Sequence, residues 1–70
     1  MAELFAELPT VVSLADQIEC VEREIRMRRR VYPRRVAESR MSADAARRET
    51  ATMEAVLETL RQAASRGRPR

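Results

Sequence analysis

Apolar residues recur at steps of three and four over two long stretches of this chain, and a proline stands between them. The first stretch is Val11, Leu14, Ile18, Val21 and Ile25, continued at the same spacing by Arg28 and Tyr32. The second is Ala46, Thr50, Met53, Leu57, Leu60 and Ala64, with Val56 widening the stripe. This is the a/d spacing of helices that bury one narrow seam against another helix. It predicts an all-α chain with helices over about residues 10–32 and 43–64.

The helix boundaries carry their own signals. Ser13 is a good N-cap, and Asp16 three positions on approximates a capping box; Thr10 after Pro9 offers a second start. Ser42 is the expected cap of the second helix, with Asp44 in its acidic first turn. Glu19–Arg23, Glu22–Arg26 and Glu24–Arg28 form i,i+4 pairs in the favourable order, each adding roughly 0.2–0.5 kcal/mol of helix support. Pro33 lacks an amide donor and disfavours an α conformation before it, so the first helix is expected to stop near Val31 or Tyr32. Arg34 to Arg40 then reads as a short helical corner, with Val36, Ala37 and Met41 turned inward.

A short connection between two amphipathic helices predicts an antiparallel hairpin. The chain has 70 residues, so residues 1–64 read as a single helical domain and 65–70 as a flexible basic tail containing Gly67 and Pro69. Leu4, Phe5 and Leu8 could cover one end of the core or dock on a partner. A lone hairpin has few large apolar side chains with which to offset the ordering of its backbone. We therefore expect it to dimerise into a small bundle, with Leu14, Ile18, Val21, Ile25, Met53, Leu57 and Leu60 supplying the core and dimer contacts. Arg28 on the seam would snorkel outward, set the register against an acid of the second copy, or join the basic patch.

Charge is segregated along the chain. Residues 23–48 hold ten arginines against Glu24, Glu38 and Asp44, a local charge of +7, and seven of those arginines lie between Arg23 and Arg35. All fourteen basic residues are arginine, whose planar guanidinium forks to carboxylate and phosphate and stacks on rings. The densest stretch also contains Tyr32, so Tyr32, Arg34 and Arg35, supported by Arg29, Arg30 and Arg40, have the composition of a protein-binding hot spot. An acidic protein surface is the expected partner.

The same residues argue against several other functions. There is no histidine and only one cysteine, Cys20, so no metal set and no internal disulfide is expected. Glu54 and Glu58 read as solvated rather than as a general acid–base pair, and no catalytic residue or cofactor site is assigned. No apolar run reaches the roughly 20 residues needed to cross a bilayer, and the acidic N-terminal stretch lacks a secretory signal pattern; a cytoplasmic protein is expected. Nucleic-acid binding is the alternative, since the basic block could neutralise phosphates. Arg66-Gly67-Arg68-Pro69 resembles the core of an AT-hook, but Glu49, Glu54 and Glu58 would make the second helix a poor recognition helix.

Between Cys20 and Leu60 the chain resembles a group of small proteins of temperate phages and prophages. Their pattern is Glu-Arg-Glu-x-x-Met-Arg, then Val-Tyr-Pro-Arg-Trp-Val, then Gly-Arg-Met before a closing helix. Glu22, Arg23, Glu24, Met27, Arg28, Val31, Tyr32, Pro33, Arg34, Val36, Arg40 and Met41 match it. Arg35 stands where tryptophan is usual and Ser39 where glycine is usual. The resemblance implies a phage protein acting in a bacterial host. It further implies a non-enzymatic protein that binds and modulates a host protein, such as a transcriptional regulator of the quorum-sensing receptor type. A small structural or assembly subunit of a phage particle is the other role it allows.

Overall fold

The computed structural model describes residues 11–67. Two helices account for nearly all of them: α1 (Leu14–Ala37) and α2 (Ala43–Arg66). They pack against each other as a helical hairpin joined by residues 38–42. The expected caps are in place. The Asp16 amide donates to Ser13 Oγ at 3.1 Å and the Ala45 amide to Ser42 Oγ at 3.0 Å, satisfying one orphan donor at each helix start. Leu4, Phe5, Leu8 and Thr10, and the tail from residue 68, lie outside the described residues.

One boundary is corrected. Pro33 does not end the first helix; α1 runs through it to Ala37, and the separate helical corner over Arg34–Arg40 is replaced by a turn. Proline removes only its own amide bond, to the Arg29 carbonyl, and residue 33 is exposed. Tyr32 and Val36, one on each side of it, are half-buried. The helix thus continues, short of one amide bond, across a residue that local propensity alone would make a stop. Ala37, expected to face inward, is exposed, whereas Val36 and Met41 are half-buried as expected.

α1 closes with a Schellman motif. The Arg40 amide bonds the Arg35 carbonyl at 2.8 Å and the Ser39 amide bonds the Val36 carbonyl at 3.0 Å. That pattern needs a left-handed residue just past the helix, and Ser39 supplies it with φ 60°. α2 extends two residues beyond the expected Ala64, to Arg66, with Gly67 as its cap.

The seam is where the spacing put it. Leu14, Ile18, Val21, Arg28, Tyr32, Ala46, Thr50, Met53, Leu60 and Ala64 are half-buried, while Ile25 and Leu57 are 5% and 8% exposed. These last two are the only buried side chains among the described residues. Val11 is exposed, so the seam begins at Leu14.

Candidate protein-binding surface

Helical geometry, at 100° per residue, gives the hairpin two unlike faces on either side of the seam. On one face, charged side chains cross between the helices. Arg61 Nη2 donates to Glu22 Oε2 at 2.9 Å, and Arg29 pairs with Glu54. The Glu22–Arg26 pair expected within α1 does not form; Glu22 reaches across the hairpin instead. Glu54, read from the sequence as solvated, is the acid that holds Arg29. Glu58 takes a side-chain bond from Gln62 at 3.2 Å.

The other face has no interhelical ion pair among the described residues. It carries Val12, Asp16, Gln17, Cys20, Val21, Val56 and Leu60 around one open groove, and Met27, Val31 and Arg35 around another nearer the turn. Met27 and Val56 are each 42% exposed, and Cys20 is a free, exposed thiol. Val56 therefore widens the apolar stripe outward, away from the seam.

Arg28 sits between the seam and this open face and is tied down by its own helix. Its Nε donates to Tyr32 Oη at 3.1 Å and its Nη1 to Glu24 Oε2 at 2.8 Å. The Tyr32 hydroxyl, and then Glu24, raise the Arg28 guanidinium above its ordinary pKa, so it stays charged. The same bonds fix the Tyr32 ring, whose hydroxyl is thus an acceptor inside the protein.

The six residues expected to form one binding patch are spread around α1 and the turn. Arg29 lies on the ion-paired face and Arg35 on the open apolar one. Tyr32 is half-buried at the seam, Arg30 and Arg34 point outward, and Arg40 is in the turn, 4.0 Å from Glu38. Arg30, Arg34 and Arg35 have no ion pair among the described residues. Arg26, which the sequence reading left out of the patch, is exposed and likewise unpaired among them.

Near the turn the ion-paired face opens into a groove of about 720 Å³ between the helices. Tyr32, Pro33 and Val36 line it from α1 and Ala43, Ala46 and Ala51 from α2, together with Arg29, Arg47, Thr50 and Glu54. Small side chains on α2 opposite larger ones on α1 leave this space. The alanines are visible in the sequence; which side of the seam they would open is not.

Among the described residues no group of side chains is placed to hold a metal ion, and no helix is long and apolar enough to cross a membrane. No protein-family model, curated protein or solved structure matches the chain.

Proposed function

We propose that this chain is a small, non-enzymatic phage-type protein that works by binding. It pairs with a second copy through its open apolar face and presents its arginine-rich turn end to a host protein with an acidic surface. A transcriptional regulator of the quorum-sensing receptor type is the kind of target the resemblance implies, and the bacterial cytoplasm is where it would act.

The observation that carries this reading is the contrast between the two faces. With only Ile25 and Leu57 buried among the described residues and one side largely apolar, the hairpin is short of core, as expected for a chain completed by a partner. The arginines near the turn support the second half of the reading. Arg30 and Arg34 are exposed guanidiniums without ion pairs among the described residues, off the pairing face and available to carboxylates on a partner.

Affinity capture from host lysate tests it. The wild-type chain should retain a specific protein, and Arg30→Glu with Arg34→Glu should lose it while keeping the wild-type circular dichroism spectrum. Both side chains are exposed, so the exchange should leave the fold intact. Retention by the double variant would remove these residues from the site. A salt-sensitive shift of duplex DNA, with no captured protein, would favour the nucleic-acid reading instead.

A further inference from the structure

We infer that the second copy lies over the open face with like helix on like helix and the two turns at opposite ends of the dimer. This rests on the self-pairing proposed above and names its arrangement. It also sets the number of arginine-rich target sites at two, one at each end of hairpins about 36 Å long.

A two-fold axis between two such faces has two limiting positions. One gives the arrangement inferred here. The rival puts both turns at one end and lays α1 over α2 of the second copy. Polarity separates them first. On α1 the middle of the open face is polar: Arg28, at the groove there, bonds the half-buried Glu24. On α2 it is apolar, with Val56 and Leu60 at the groove and Met53 half-buried beside them. Like on like sets each Glu24–Arg28 pair against its own inverse, acid to base, and leaves the apolar side chains of α2 to pack on their counterparts. The rival lays that pair against Val56 and Leu60, which replace none of the hydrogen bonds it makes to water.

Charge selects the same arrangement. The turn belongs to residues 23–48, which carry a local charge of +7, whereas the start of α1 holds Asp16, Glu19 and Glu22 and no base. Turns at opposite ends set each basic end over the acidic start of the other α1; turns at one end crowd like charges together. Register then says where the axis passes. The Glu22–Arg61 and Arg29–Glu54 crossings put Met27, five residues on from Glu22, level with Val56, five back from Arg61. This level is near the middle of both 24-residue helices. An axis across the face here overlaps the hairpins along their length and brings Val56 beside its counterpart.

Disulfide trapping in the full chain, with Cys20→Ser as background, tests the arrangement, because the bond forms only where Cα atoms approach within about 7 Å. Under diamide at low micromolar concentration, Val56→Cys should link to itself at least tenfold faster than Glu58→Cys, which is exposed on the ion-paired face. Linkage only in an equal mixture of Met27→Cys and Val56→Cys chains would establish the rival and overturn like on like. Charge exchange gives a second readout. Glu24→Arg and Arg28→Glu should each weaken self-association tenfold or more, and an equal mixture of the two should restore it; unchanged association in both would also overturn the arrangement. If Val56→Cys links no faster than Glu58→Cys, the arrangement falls, and sedimentation of wild type separates it from its parent reading. Double the chain mass keeps the self-pairing in another arrangement, and a single chain rejects the self-pairing itself.

Discussion

Ser39 is a residue out of keeping with its conformation. It occupies the left-handed position of the Schellman motif, with φ 60°, a region that penalises any residue with a Cβ by roughly 1–2 kcal/mol. The chain's one glycine sits elsewhere: Gly67 has φ −82°, and a Cβ built there meets nothing nearer than 3.7 Å. Two opposite outcomes follow. Ser39→Gly should stabilise the fold by about 0.5–1 kcal/mol, the strain relieved less the extra backbone freedom glycine has when unfolded. Gly67→Ala should be neutral or stabilising by up to ~1 kcal/mol, because its backbone is one that alanine adopts readily. Urea melts of the two variants beside wild type check both; a destabilised Ser39→Gly would mean that the serine side chain holds the turn in a way the backbone does not require.

Elements were legible wherever the signal is periodic or local. Three-and-four spacing placed Leu14 through Tyr32 and Ala46 through Ala64 on the seam, and Ser13 and Ser42 marked both helix starts. What the sequence did not disclose depends on tertiary context. Pro33 reads as a stop by every local rule, yet the helix runs through it to Ala37 with the half-buried Tyr32 and Val36 on either side. The crossings Glu22–Arg61 and Arg29–Glu54 were hidden because each acid also has a plausible partner or solvent on its own helix. The choice depends on which side of the seam closes. The expected hot spot was legible as composition but not as a surface, because consecutive residues of a helix point in different directions.

Each of these elements yields a measurement. Pro33→Ala restores the amide bond to the Arg29 carbonyl and removes the ring from a helix interior. It should raise stability by about 1–3 kcal/mol and increase helical circular dichroism; a loss of stability would show that the turn end requires the proline geometry. For the Arg29–Glu54 crossing, a double-mutant cycle with Arg29→Gln and Glu54→Gln should give a coupling below about 1 kcal/mol that shrinks with added salt, as exposed pairs do. Coupling of several kcal/mol would instead require that this face be covered in solution.

At the scale of the whole molecule, the decisive question is what covers the open apolar face. In the isolated chain Val56 is 42% exposed, and exchanging such a surface residue for glutamate normally changes stability by no more than about 0.5 kcal/mol. If a second copy lies over that face, the same exchange places an unpaired carboxylate in an apolar contact, which is strongly unfavourable. Wild type should sediment at twice the 8.1 kDa of the chain and melt at a temperature that rises with protein concentration. Val56→Glu should sediment as a single chain and lose both the concentration dependence and several kcal/mol of stability. Leu57→Ala, one residue away on the seam, provides the contrast. It opens a cavity inside the hairpin and should cost about 2–5 kcal/mol whether or not the chain pairs. If Val56→Glu melts like wild type and both sediment as single chains, the face is open in solution and the pairing is wrong; the Arg30 and Arg34 prediction would stand unaffected, because both side chains point outward, off that face.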